Sequence, residues 1–134
     1  IPSMVVERWE GRPILSDYTR EALDFSKKNW QLNVETLPTF IELDWRNPPS
    51  DLRVDFVLGS DIAYERRFFS VLPDTFKKLV KPNGKIFLSE PGRAIARDFL
   101  QRLGDEGFEV QTITYEGHLK GKVYHVQVYE LSLR

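Results

Sequence analysis

The chain has 134 residues, 41% of them hydrophobic and 13% aromatic, which suffices for one compact domain over residues 1–134. Lysine and arginine number 19 against 20 acidic residues, so no net positive field attracts nucleic acid. The lack of cysteine excludes disulfides, thiolate nucleophiles and cysteine-ligated metals. No apolar segment approaches the roughly 20 residues that span a bilayer, and we recognise no signal peptide. We therefore expect a cytoplasmic protein with no metal, nucleic-acid or membrane partner.

Helices and strands alternate along the chain. Residues 1–10 are predicted to form the last part of an amphipathic helix, which Gly11 terminates. A second helix is predicted to run from Thr19 toward Asn33. Strands are predicted at 13–17, 39–44, 54–58 and 85–89, with a turn at 82–84. Pro73 removes a backbone donor and is predicted to divide residues 68–80 into two short helices, and an apolar stripe predicts another helix over 95–103.

The last two apolar segments, 108–115 and 123–133, alternate apolar and polar residues around a loop that contains glycine. This pattern predicts an antiparallel β hairpin. The order of elements therefore indicates an α/β sheet that is mostly parallel, with an antiparallel edge.

The segment 54–64 is the most informative part of the chain. It predicts a buried strand that ends in polar groups, and ligands of open α/β sheets bind outside the carboxyl ends of the strands. Asp61 and Tyr64 are therefore candidates to meet a substrate. The alternative is that Asp61 only caps an ordinary helix.

Four motifs occur in a recognisable order and spacing over nearly the whole chain: Ser16-Asp17-Tyr18, Leu43-Asp44-Trp45, Gly59 to Tyr64, and Ser89-Glu90-Pro91. In this the chain resembles the class I S-adenosylmethionine-dependent methyltransferases, and most closely the small protein-lysine methyltransferases akin to nicotinamide N-methyltransferase. The resemblance implies a Rossmann-like fold with S-adenosylmethionine as cofactor. It also implies that an amine accepts the methyl group. The expected amine is a protein lysine side chain, and the alternative is a small-molecule amine.

The resemblance also assigns roles to four cofactor-binding residues. Asp17 would accept hydrogen bonds from the ribose hydroxyls, which suits the two acceptor oxygens of a carboxylate, and Tyr18 would lie near the adenine. Asp44 would bind the adenine amino group, with Trp45 as apolar surface beside the ring. The alternatives are that Asp17 belongs to a turn or helix cap, and that Asp44 only begins the next turn while Trp45 fills the core.

At the acceptor side, the resemblance matches Asp61 and Tyr64 to an Asp-x-x-Tyr signature where the amine meets the methyl group. Ser60 is counted with the cofactor-binding residues, and its carbonyl is a third candidate to face the amine. A lysine attacks only as the free base, so a site that accepts its hydrogens and partly desolvates it would help. Arg93 follows the next strand and is a candidate to meet an acidic substrate, or else an exposed residue near a helix start.

One departure from the family concerns the glycine-rich loop that normally follows the first strand. The eight glycines fall at 11, 59, 84, 92, 104, 107, 117 and 121, so neither that loop nor that strand is recognisable. We expect the C-terminal part of a larger enzyme, with the loop supplied by an upstream segment or a second chain. The alternative is a methyltransferase-like binding module without cofactor. A nicotinamide-cofactor oxidoreductase is disfavoured, because residues 44–45 and 61–64 have no role in it.

Overall fold

A computed structural model describes residues 2–134; the first residue of the predicted N-terminal helix, Ile1, lies outside the described residues. The backbone divides into two compact units, Ile1–Pro49 and Ser50–Arg134. In the described part of the chain, no helix is long and apolar enough to cross a membrane.

The first unit contains two helices and two strands. These are, in chain order, α1 (Pro2–Arg8), β1 (Ile14–Asp17), α2 (Arg20–Asn33) and β2 (Thr39–Glu42). The two strands pair in parallel, with Ile14 opposite Thr39 and Asp17 opposite Glu42. The predicted elements are confirmed, with three shifted bounds: α1 ends at Arg8 instead of next to Gly11, β1 begins at Ile14 instead of residue 13, and β2 ends two residues before the predicted boundary.

Local sequence signals explain the start of α2 and its packing. The Thr19 hydroxyl accepts a hydrogen bond from the Ala22 amide, which satisfies one of the free donors of the first helical turn. Near the other end, Trp30 is fully buried, and its indole Nε1 donates to the Thr36 carbonyl at 2.6 Å. The buried ring and its satisfied N–H anchor α2 within this unit.

The second unit contains the larger sheet. Its elements are β3 (Val54–Ser60), a 3₁₀ turn (Arg66–Phe68), α3 (Leu72–Leu79), β4 (Val80–Glu90), α4 (Ala94–Asp105), β5 (Phe108–Leu119) and β6 (Lys122–Leu133). The strand order is β3-β4-β6-β5, with β3 parallel to β4 and the remaining pairs antiparallel. The predicted α/β class with parallel pairing and a C-terminal antiparallel hairpin is confirmed.

Pro73 divides the chain between β3 and β4 as predicted. It lies in the first turn of α3, where a missing N–H leaves no hydrogen bond unmade. The piece before it is only a short 3₁₀ helix.

The predicted turn at 82–84 is wrong, because β4 already begins at Val80 and runs through these residues. Val54 pairs with Val80 and Phe56 with Lys85, so two steps along β3 match five along β4. The extra residues form a bulge in which Asn83 has a φ of 66°. The turn-forming residues therefore shape an irregularity within a strand.

Helices α3 and α4 carry apolar residues at helical spacing, and these residues cover one face of the sheet. The core of the second unit lies between the two helices and this face. Its fully or nearly fully buried side chains include Leu72, Phe76, Ile86, Phe99, Leu103, Phe108 and Leu131.

The terminal hairpin extends beyond this core. β6 pairs with β4 over five residues, from Gln127 to Leu131, whereas β5 and β6 pair along their whole length. Residues 114–126 are exposed. In the part of the chain that the structure describes, the outer half of the hairpin is thus two-stranded.

Candidate functional site

Asp17 ends β1 with an exposed side chain. Its Oδ1 accepts a hydrogen bond from the Thr19 amide at 3.2 Å, so the turn role that was the alternative is present. A carboxylate has about four acceptor positions, and one amide leaves most of them available. Beyond this, the Asp17 backbone carbonyl accepts from the Leu43 amide at 2.8 Å, which holds the end of β1 beside the end of β2.

Beyond β2, Asp44 is held by an arginine that the sequence analysis did not single out. Its Oδ1 accepts from the Arg46 amide and from Arg46 Nε, both at 2.9 Å, and its Oδ2 accepts from a terminal guanidinium nitrogen at 2.7 Å. These bonds hold the pKa of Asp44 below its ordinary value and raise the pKa of Arg46. The only sequence signal for this pair is an arginine two residues after the acid.

The same guanidinium links Asp44 to Tyr18. A terminal nitrogen of Arg46 donates to the Tyr18 hydroxyl at 3.1 Å, and the guanidinium carbon lies 5.6 Å from the ring centroid. The Asp44 carbonyl also accepts from the Asn47 amide at 2.9 Å, so Asp44 does begin a turn, and Trp45 beside it is half-buried. The first unit thus brings Tyr18, Asp44 and Arg46 into one polar cluster.

In the second unit, Asp61 follows β3 in a left-handed conformation with a φ of 52°. Its amide donates to the Ser89 carbonyl at 2.8 Å, and the Ser89 hydroxyl donates to the Ser60 hydroxyl at 3.2 Å. The residue at the N-terminus of the following 3₁₀ helix is Glu65. The alternative that Asp61 caps a helix is therefore wrong, because the chain first extends to Glu65.

Arg93 engages both oxygens of the Asp61 carboxylate. Arg93 Nε donates to Oδ1 at 2.9 Å, and a terminal nitrogen donates to Oδ2 at 2.6 Å. Hydrogen bonding to Asp61 is the main reason that the pKa of Arg93 is raised. The side chain of Asp61 is 39% exposed and that of Arg93 is 51% exposed, so the ion pair contributes little to stability. Its bidentate geometry nevertheless orients both groups.

Glu90 fixes the backbone that carries Arg93. Its Oε2 accepts from the amides of Gly92 at 2.7 Å and Arg93 at 2.6 Å, and Gly92 has a φ of 89°, which favours glycine. Its Oε1 accepts from the Tyr129 hydroxyl at 2.8 Å. Burial, the main cause, and the hydrogen bond to Glu90, the second, raise the pKa of Tyr129 to about 12. Glu90, which belongs to the Ser89-Glu90-Pro91 motif, thus supports the Asp61–Arg93 pair together with Tyr129, a residue that the sequence did not single out.

A small cavity of about 20 Å³ lies beside the Asp61–Arg93 pair, enough for about one water-sized group. Its polar lining consists of Asp61, Ser89, Glu90, Arg93 and Tyr129. Its apolar wall consists of Ile62, Ala63, Leu88, Ala96, Phe99 and Leu100. Tyr64 is not one of the described residues that line this cavity. Its ring is 51% exposed and packs edge-on against Phe68, with 6.0 Å between centroids.

Two further groups of side chains, a run of lysines and the histidines, carry no site. In the lysine group at 77, 78, 81 and 85, three members pair with carboxylates: Lys77 with Glu106, Lys81 with Asp55, and Lys85 with Glu130. Within residues 2–134, no cluster of three or more histidines and acids is arranged to hold a metal ion. His118 instead contacts Glu116 on the exposed hairpin.

Solved structures share this fold at low sequence identity. A ribosomal protein L11 methylase from Lactobacillus delbrueckii subsp. bulgaricus matches 99% of the chain with a TM-score of 0.72 and 12% identity. The glycopeptide N-methyltransferase MtfA matches 95% of the chain and 81% of its own length, with a TM-score of 0.79 and 12% identity. The N-methyltransferase NodS from Bradyrhizobium japonicum WM9, solved with S-adenosyl-L-homocysteine, matches 89% of the chain and 66% of its own length, with a TM-score of 0.65 and 11% identity. The chain spans 64% of the ribosomal-protein methylase.

Sequence comparison identifies the family. No curated protein sequence matches the chain. A sequence model of the family described as lysine methyltransferase matches residues 5–106, which include the ends of β1, β2 and β3 and the segment that carries Glu90 and Arg93. Because this match covers most of the chain, the protein belongs to the lysine methyltransferase family.

Proposed function

We propose that the protein is an S-adenosylmethionine-dependent N-methyltransferase that acts on an amine, namely the side chain of a protein lysine. The observation that carries this proposal is the cavity beside Asp61, in a chain that belongs to this family. It has room for one amino group, a carboxylate to accept its hydrogens, and an apolar wall that limits water.

The residues of the first unit fit the adenosine part of the cofactor. Asp17 presents an exposed carboxylate suited to two hydroxyl donors, and the Tyr18 ring is 59% exposed and available to stack on a base. Arg46 engages both oxygens of Asp44, so Asp44 would accept from the adenine amino group by exchanging one of these donors for it. When bound, S-adenosylmethionine supplies a methyl group activated by a sulfonium. Trp45 and Ser60 complete the proposed cofactor-binding set.

In the second unit, the proposed catalytic residues orient the amine. Methyl transfer needs an in-line approach of the nitrogen lone pair, so positioning the amine and excluding water supply most of the rate gain. Asp61 and the Ser60 carbonyl accept the amine hydrogens, which leaves the lone pair directed away from them. Tyr64 would contribute after a rotation of its exposed side chain.

The first test is calorimetric titration of S-adenosylhomocysteine into this chain and into a version extended upstream of Ile1. The extension asks whether a glycine-rich loop supplied by an upstream segment is needed. Asp17→Ala should weaken binding at least tenfold, and Asp24→Ala, an exposed acid on α2, should not change it. Binding to neither version, with both folded, would refute the proposal.

The second test is methyl transfer to lysine-containing proteins and to small amines, which also separates these two acceptor classes. Asp61→Ala should abolish transfer while leaving cofactor affinity intact. Full turnover by Asp61→Ala would remove Asp61 from the mechanism. Fluorescence microscopy of the tagged protein checks the proposed cytoplasmic location.

A specific observation favours a second candidate, a binding module without catalysis. The carboxylates of Asp44 and Asp61 are each held by an arginine of the same chain. In a module, these pairs would simply stabilise loops. The calorimetric titration distinguishes the two, because only the enzyme requires cofactor affinity.

A further inference from the structure

We infer that Arg93 is a positioning residue of the proposed acceptor site, whose guanidinium offsets the charge of Asp61 so that the amine is bound as the free base. The inference rests on the proposed function. It assigns a role to the ion pair that closes one side of the cavity.

The acceptor amine carries a positive charge at neutral pH. A lysine with its ordinary pKa near 10.4 is neutral in only roughly one molecule in 2,500 at pH 7. A carboxylate beside it favours the ammonium form and raises that pKa further. Asp61 alone would therefore orient the amine but stabilise the protonation state that cannot react.

The geometry of the pair removes this conflict. Arg93 donates to both Asp61 oxygens, at 2.9 and 2.6 Å, which offsets the negative charge. The carboxylate still has unused acceptor positions for the hydrogens of an amine. A cation next to an amine disfavours a second cation and so lowers the pKa of that amine.

The other charged and titratable groups lining the cavity are Glu90 on β4 and Tyr129 on β6. The Glu90 carboxylate accepts from two amides and the Tyr129 phenol, at 2.6 to 2.8 Å, and the two amides immediately precede α4. These donors offset its charge where a helix N-terminus already favours an anion. Arg93 is therefore the one cation among the cavity-lining residues that the structure describes.

The experiment measures methyl transfer by the full-length protein as a function of pH, at a saturating concentration of acetyl-Gly-Lys-Gly-amide, a probe whose lysine amine is its only ionisable group. Arg93→Gln should move the rising limb of the profile to higher pH by about one pH unit, a roughly tenfold loss of rate at pH 7, while the alkaline plateau is kept. Arg93→Lys should restore most of the wild-type profile. Arg97→Gln, an exposed arginine on α4, is the matched control and should not move the limb.

A second readout does not depend on turnover. NMR of the probe, labelled at the lysine ε-carbon and bound with S-adenosylhomocysteine, reports the pKa of the bound amine. It should lie below the free value in wild type and rise in Arg93→Gln. An equal loss of rate at all pH values, an unmoved limb, or a bound pKa unaffected by Arg93→Gln overturns the inference alone. A wild-type protein that neither binds nor methylates any amine overturns the proposed function and this inference with it.

Discussion

Replacing Tyr129 by phenylalanine tests the support beneath the candidate acceptor site. Tyr129 is 7% exposed, and its hydroxyl donates to Glu90 Oε1 at 2.8 Å. A hydrogen bond to a charged group is worth about 1.5–3 kcal/mol. Because Glu90 is half-buried and keeps its two amide donors, we expect the lower end, a loss of about 1.5 kcal/mol at pH 7.

The same contact predicts an alkaline signature. Burial and the Glu90 carboxylate favour the neutral phenol and raise the pKa of Tyr129 from 10.0 to about 12. The stability that depends on the neutral phenol is complete below pH 10 and is lost as the pH rises toward 12. The linkage relation gives a loss of about 1.4 kcal/mol at pH 11. The difference in unfolding free energy between wild type and Tyr129→Phe should therefore shrink to near zero at about pH 11.

Urea unfolding at pH 7 and in steps up to pH 11 measures both effects. Tyr124→Phe is the matched control, since Tyr124 lies on the same strand and is 47% exposed. It should change the unfolding free energy little at any pH. An effect of Tyr129→Phe that is independent of pH, or an equal loss of stability in Tyr124→Phe, would refute the stabilising role of the Tyr129–Glu90 hydrogen bond.

Two further predictions concern the β4 bulge and the Arg46 cluster. Gly84→Ala should destabilise the protein by about 1–3 kcal/mol in urea unfolding, because its new Cβ would lie 2.6 Å from Val80 Cγ1 and 2.7 Å from the Asp55 carbonyl. Gly117→Ala, whose nearest neighbouring atom would be at 4.0 Å, should be tolerated, and equal losses would contradict this explanation. Arg46→Gln should raise the pKa of Asp44 toward its ordinary 3.8, as measured by NMR of the carboxyl carbon. Asp44 stabilises the folded protein above that pH and loses this contribution on acidification, and in Arg46→Gln the contribution should be smaller. An Asp44 titration that Arg46→Gln leaves unchanged would exclude Arg46 as the cause of the lowered pKa.

Much of the fold follows from local signals that the sequence displays. The Thr19 cap and the proline at the start of α3 act within a few residues, so the boundaries they mark can be predicted. The bulge in β4 cannot be predicted in this way. Its residues have turn-forming character, and only pairing with β3, whose partner residues lie 26 to 29 positions earlier, makes them part of a strand.

In the candidate site, too, some residues can be predicted from the local sequence and others cannot. Asp17 and Asp61 are predictable because they stand where apolar strands end. The partner of Asp61 is not, since Arg93 lies 32 residues away in sequence, and a long flexible side chain can meet any acid in its reach. Arg46 is close to Asp44 in sequence, but its position suggests only an exposed turn residue.

The two-stranded outer half of the β5–β6 hairpin has a consequence for how stability is distributed along the chain. An isolated pair of strands is marginally stable in water, whereas residues 127–131 of β6 are held from both sides. The outer half can therefore separate without breaking the sheet, and its amides exchange with solvent through local opening. Substitutions there change order at the tip of the hairpin and leave the free energy of global unfolding almost unchanged.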